Sequence, residues 1–184
     1  MGKIEIRISG LGGQGVVLAG QILGKAAAYD GKNVVQTQSY GAEARGSMAK
    51  SEVIISESKI GFPVIRKCDI LIAMNQKAVD EHLKDLKTGG TLLIDSCNVK
   101  ELQVKAQIYK IPATSKAEEL LKEKLYANII ILGALTAIKK IVSNRAMEKA
   151  IKDSFHVDEI TKNIYAYKKG IELGSSIRLT KNVP

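Results

Sequence analysis

Ile4-Glu5-Ile6-Arg7-Ile8-Ser9-Gly10-Leu11-Gly12-Gly13-Gln14-Gly15 opens the chain and decides how the rest is read. Ile4, Ile6 and Ile8 alternate, so they share one face of a short strand between Lys3 and Ile8. Val16 to Ala28 is apolar and alanine-rich and reads as a helix. Strand, glycine turn and helix together are the entry to a nucleotide-binding α/β domain. Gly10, Gly12 and Gly15 fit G-x-G-x-x-G. Glycine permits the tight turn and lets an anion approach backbone N–H groups at a helix N-terminus. Gly10, Gly12, Gly13, Gln14 and Gly15 are therefore a candidate phosphate cradle. The same glycines would equally serve close packing of helix on strand, with no ligand.

The second strand, Asn33-Val34-Val35-Gln36-Thr37-Gln38, tells against a dinucleotide. A dinucleotide fold places an acid near this point, about 20 residues on, to hold the ribose hydroxyls. Here the strand ends in glutamines and a threonine. The following stretch, Ser39-Tyr40-Gly41-Ala42-Glu43-Ala44-Arg45-Gly46-Ser47, sets one Tyr, one Glu and one Arg among small residues. The Arg45 fork can meet a phosphate or carboxylate through two hydrogen bonds. Glu43, on the same face of an extended chain, could orient it. Tyr40 could stack on a ring or bond through its hydroxyl. A surface hairpin with a weak exposed ion pair accounts for the same residues.

Length and composition bound the rest. At 184 residues the chain is one domain with room for a core, and 45% hydrophobic with 26% charged residues is globular. No apolar run reaches about 18 residues, so no membrane span is expected. The N-terminus lacks the regions of a signal peptide, so a cytoplasmic protein is expected. The net charge of +9 comes from lysines interleaved with glutamates, without an arginine block or aromatic platform. That pattern does not favour nucleic acid and suits an anionic small molecule or an acidic partner. Cys68 and Cys97 form no CxxC, too few thiolates for an iron–sulfur cluster, and His82 and His156 add no zinc spacing.

Further strands are expected at Glu52–Ser56, Asp69–Ala73 and Thr91–Asp95, with Val104–Tyr109 an edge strand or part of a pair. Asn75 reads as the N-cap of a helix from Gln76 to Leu86, stopped by Gly89-Gly90, with His82 off its inner stripe and in solvent. Ser115 and Glu118 fit a capping box for a helix to Leu125. Ile129–Ile141 is apolar nearly all round, so it is central or covered by another subunit. Asn144 is read as the cap of a helix to Ser154, and a last helix spans Asp158–Leu173. A tail, residues 174–184, is expected to be loose or to dock on a partner. The fold expected is one α/β layered domain, a mostly parallel Rossmann-like sheet flanked by helices. The helix joining the first two strands should make a right-handed crossover. The glycine turn, the Tyr40–Gly46 stretch, Asn75 and Asp95-Ser96 all follow strands, so they should share the ligand-binding edge.

No catalytic constellation is present: no GxSxG, no Walker lysine, no HExxH, and no thiamine signature of Gly-Asp-Gly with a distant Asn. A cradle and an arginine stretch without a reacting group suggest a subunit rather than a complete enzyme.

Gly10–Gly15, Ser39–Gly46, Val53-Ile54-Ile55-Ser56, Pro63 and Ala73-Met74-Asn75-Gln76 resemble the gamma subunit of 2-oxoacid:ferredoxin oxidoreductases. Ile111–Thr114, Ala117, Ala127-Asn128, Leu132–Leu135, Asn163, Ala166 and Gly170 continue the resemblance, which spans almost the whole chain, residues 1–173. Ser47 departs from it, where a second glycine is more usual. The resemblance implies CoA-dependent oxidative decarboxylation of a 2-oxoacid, with electrons passed to ferredoxin, and leans towards 2-oxoglutarate. It implies thiamine diphosphate, magnesium and iron–sulfur clusters on alpha, beta and possibly delta partner subunits. It adds Asn128 to the candidate site, and coenzyme A as a candidate ligand. A stand-alone NAD(P)-binding oxidoreductase and a non-catalytic nucleotide-binding module are the alternatives.

Overall fold

The computed structural model describes residues 2–41, 47–100, 102, 106–177 and 180–181. Strand β1 (Ile4–Leu11) lies inside a seven-stranded sheet, followed by helix α1 (Val16–Tyr29). Next come β2 (Asn33–Tyr40), β3 (Met48–Ser56), β4 (Cys68–Ala73), α2 (Gln76–His82) and β5 (Leu86–Asp95). The chain continues through β6 (Gln107–Ile111), α3 (Ala113–Leu121), α4 (Ala127–Lys139), α5 (Asn144–Lys152), α6 (Val157–Ser176) and β7 (Thr180–Lys181). The spatial order is β2-β3-β1-β4-β5-β6-β7. β1, β4, β5 and β6 pair in parallel; β3 runs antiparallel to both β1 and β2. The sheet is mostly parallel in strand direction, as expected, but α1 joins β1 to a strand that is not its neighbour, because β3 lies between them.

The alternation in β1 does what its sequence says. Ile6 and Ile8 enter the core under α1, α4 and α5, while Glu5, Arg7 and Ser9 face the other side. That other side is closed mainly by α2 and irregular segments, over a smaller cluster of Ile54, Leu71, Leu92, Ile94 and Ile108. Arg7 makes this possible. Its Nε donates to Glu52, its register partner on β3, at 2.8 Å; its Nη2 donates to the Ile65 carbonyl at 3.0 Å, and its Nη1 to Asp85. Burial alone would lower the guanidinium pKa, but Glu52 and Asp85 more than offset it.

The apolar segment becomes α4, buried along most of its length. It lies against α6 at backbone contact distance. A Cβ on Gly133 would fall 2.1 Å from the Tyr167 carbonyl, and one on Gly170 2.1 Å from that of Ile130. No L side chain other than glycine fits either position.

Several local expectations are corrected. His82 is buried, because α2 ends at that residue and turns into a 3-10 turn, Leu83–Asp85, that folds it inward. Gly89-Gly90 lies within β5 rather than stopping a helix. The Ser115–Glu118 box does not form: the N-cap of α3 is Pro112, three residues before Ser115, and the Ser115 hydroxyl donates to the Pro112 carbonyl at 3.1 Å. Ser143, not Asn144, caps α5, accepting from the Ala146 amide at 3.1 Å. Asn144 instead accepts from the Tyr167 hydroxyl at 3.0 Å. Of the two readings of Val104–Tyr109, the paired strand is found: β6 starts at Gln107 and lies between β5 and β7. α6 runs past Leu173 to Ser176, and Thr180–Lys181 pairs with β6.

Candidate functional site

The strand ends and the turns after them assemble the site at the carboxyl edge. Gly10 closes against the end of β4: a Cβ there would lie 2.8 Å from Met74 Cβ and 2.7 Å from Gln14 Oε1. Gln14 is the tie. Its Oε1 accepts from the Leu11 amide at 2.7 Å and from Asn75 Nδ2 at 2.8 Å, and its Nε2 donates to the Met74 carbonyl at 3.2 Å. Asn75 is the cap expected of it, with Oδ1 accepting from the Ala78 amide at 2.9 Å. These two carboxamides bind each other and backbone, which fixes the shape of the turn beside the cleft.

Gly12 carries the second connection. Its amide donates to the Ser47 carbonyl at 2.8 Å, which seats the base of the β2–β3 hairpin on the glycine turn. Tyr40 ends β2 and is 61% exposed. Glu43, Arg45 and Gly46 lie outside the described residues. Gly15 occupies the N-cap of α1 with φ of +68°, and Asn128 Nδ2 donates to its carbonyl at 3.2 Å. Gly10, Gly12, Gly15, Gln14, Asn75 and Asn128 are thus one contiguous arrangement.

A cleft of about 380 Å³ opens beside it, lined by Gly13, Gln14, Met74, Asn98, Thr114, Lys124, Leu125 and Ala127. Asn98 and Thr114 are not among the candidate site residues of the sequence. Both are held by Asp95, fully buried at the end of β5, which accepts from Asn98 Nδ2 at 2.9 Å, from the Cys97 amide at 3.2 Å and from the Thr114 hydroxyl. The sequence signals nearest to them are the Asp95-Ser96 pair after a strand and the Ile111–Thr114 stretch of the resemblance.

The field in the cleft is uneven. Asp95 answers the N-terminus of α3. α1 has no acid in the first turn and no side-chain N-cap, whereas α4 continues directly from the 3-10 turn Lys124–Tyr126 and its Ile129 amide donates to Asn128 Oδ1 at 2.8 Å. The positive end of α1 meets the start of α4 at Gly15 and Asn128, with Lys124, 3.3 Å from Glu118, on the rim. Such an edge favours an anion. A larger hollow of about 490 Å³ lies at the opposite edge, beside Lys140 at the C-terminal end of α4, and shares none of the glycine turn.

A dinucleotide fits this geometry poorly. With β3 inserted, the end of β2 is two strand spacings from β1, roughly 10 Å. Ser39 and Tyr40, at that end, bring no carboxylate. Among the described residues, no three His, Cys, Asp or Glu side chains gather to hold a metal ion. Cys68 is buried at the start of β4, and Cys97 is exposed after β5.

The sequence matches the family described as pyruvate ferredoxin/flavodoxin oxidoreductase over residues 5–173. It is 50% identical over 177 residues to 2-oxoglutarate synthase subunit KorC of Methanocaldococcus jannaschii, covering 94% of this chain and 95% of that one. It is similar to the crystal structure of the keto/oxoacid ferredoxin oxidoreductase gamma subunit from Geobacter sulfurreducens, with TM-score 0.84, 41% identity, and coverage of 95% and 99% of the two chains. The fold also recurs in 2-oxoglutarate:ferredoxin oxidoreductase from Magnetococcus marinus with 2-oxoglutarate, coenzyme A and succinyl-CoA bound. There the TM-score is 0.88 at 23% identity, covering 99% of this chain but 32% of that longer one.

Proposed function

The chain belongs to the pyruvate ferredoxin/flavodoxin oxidoreductase family as a gamma-type subunit of a 2-oxoacid:ferredoxin oxidoreductase, and we propose that it serves 2-oxoglutarate oxidation and offers its carboxyl-edge cleft to coenzyme A. Identity of 50% over nearly the whole of both chains to a 2-oxoglutarate synthase subunit supports the choice of 2-oxoacid. The observation that carries the coenzyme A contact is the uncapped N-terminus of α1, set on the glycine turn that lines the cleft with Lys124.

Coenzyme A, when bound, supplies the thiol that takes up the acyl group. This chain's part is binding. The α1 N-terminus and Lys124 would attract the phosphates, and Asn98 and Thr114 would offer polar contacts. The glycine turn, fixed by Gln14 and Asn75, would set the cleft's shape. Arg45, oriented by Glu43, with Tyr40 and Gly46 beside it, would read charge at the boundary with the alpha and beta subunits. Thiamine diphosphate, magnesium and the iron–sulfur clusters fall to those partners in this reading.

The test is the complex purified through a tag on this chain. It should reduce ferredoxin with 2-oxoglutarate and coenzyme A far faster than with pyruvate. Lys124→Glu should raise the KM for coenzyme A with kcat kept. Preference for pyruvate would overturn the substrate; an unchanged KM would overturn the cleft.

A further inference from the structure

The opposite side of the molecule carries an apolar pair in a basic setting. Residues 57–67 form neither helix nor strand, yet they are anchored. Ile65 is buried and its carbonyl accepts from Arg7 at 3.0 Å. On either side of that anchor the chain turns outward. Phe62 is 60% exposed and Val64 49% exposed, with Pro63 restricting the backbone between them. Both line a hollow of about 420 Å³ with Glu5, Arg66, Lys67 and Lys87, at the amino ends of β1, β4 and β5. The cleft lies at the other ends of these strands.

The charges decide what the hollow accepts. Lys87 is held between Glu5 and Asp69, at 2.8 Å to each, and Lys3 lies 2.7 Å from Glu5. Those two carboxylates are therefore taken. Arg66 and Lys67 are exposed and have no carboxylate partner among the described residues. An exposed aromatic on an anchored backbone, bordered by unpaired cations, has the composition of an interface centre rather than of a solvated loop. A second copy would bring the same cations and a net charge of +9 against itself.

We propose that Phe62 and Val64 are the apolar centre of an interface with an acidic surface on another subunit of the oxidoreductase, with Arg66 and Lys67 pairing with its carboxylates. This places that acidic surface at the amino edge, at the other ends of the strands from the carboxyl-edge cleft.

A photoreactive phenylalanine in place of Phe62, in the intact complex, should crosslink to another subunit. A crosslink to a second copy of this chain, or none, would overturn the proposal. Arg66→Glu with Lys67→Glu, both exposed, should leave the far-ultraviolet spectrum unchanged and weaken retention in the complex by about tenfold or more, most at low salt. Phe62→Ser should weaken retention at every salt concentration. Unchanged retention in both variants would overturn the interface, and loss only in Phe62→Ser would overturn its acidic character.

Discussion

Asn128 and Gly15, 113 residues apart in sequence, are in direct contact: the Asn128 carboxamide donates to the Gly15 carbonyl at 3.2 Å. The same carboxamide nitrogen stands 2.2 Å from where a Gly15 Cβ would be. The start of α4 is thereby pinned to the start of α1, and the glycine is required twice, by its φ of +68° and by its neighbour. Gly15→Ala should destabilise the chain by about 2 kcal/mol or more, read from urea denaturation. Adding Asn128→Ala should relieve the contact but not the backbone strain, so recovery should be partial. Full recovery would show that the backbone conformation costs nothing.

Arg7 is the closure of the second sheet face. Arg7→Ala strands the Glu52 and Asp85 carboxylates and the Ile65 carbonyl. A loss of about 3–5 kcal/mol is expected in the same denaturation assay. Arg7→Lys should recover little, because the three donors of an ammonium radiate from one atom and cannot span the separated acceptors that Nε, Nη1 and Nη2 reach.

The two thiols should separate by reactivity. Burial pushes the Cys68 thiol up to about 11, and Cys97 is exposed. Iodoacetamide at pH 8 should label Cys97 first and reach Cys68 only on unfolding, as peptide mass analysis would reveal. Equal labelling in the native chain would contradict the packing at the start of β4.

His82 gives a signed pH dependence. Burial pulls its pKa below the ordinary 6.5, against the raising effect of Glu81 and Asp85. The unfolded chain therefore takes up this proton more readily than the folded one. His82's contribution is complete above about pH 6.5 and declines as pH falls below it. Melting temperature followed from pH 7 to pH 5 should fall, and His82→Gln should flatten that part of the curve. An identical slope in the variant would assign the effect elsewhere.

Local patterns were legible where a short stretch decides its own geometry. The Ile4–Ile8 alternation, the glycine turn and the Asn75 cap each depend on neighbours within a few residues, and each is found where the sequence places it. The apolar Ile129–Ile141 run declared a buried helix. The capping box failed because Pro112 and Ala113 already start α3, so Ser115 sits inside its first turn. His82 misled because a helical stripe assumes the helix continues, and α2 stops there.

The sequence alone determined that this is a glycine-turn α/β domain of its oxidoreductase family without an acid for a dinucleotide ribose. Those properties are local, or a matter of which residues are present. Tertiary structure decided that β3 enters between β2 and β1, that Asp95 fixes Asn98 and Thr114 in the cleft, and that α4 meets α6 across Gly133 and Gly170. Each of these joins groups distant in the chain or selects one pairing among several compatible with the same alternation. Only the simultaneous burial of both sheet faces distinguishes them.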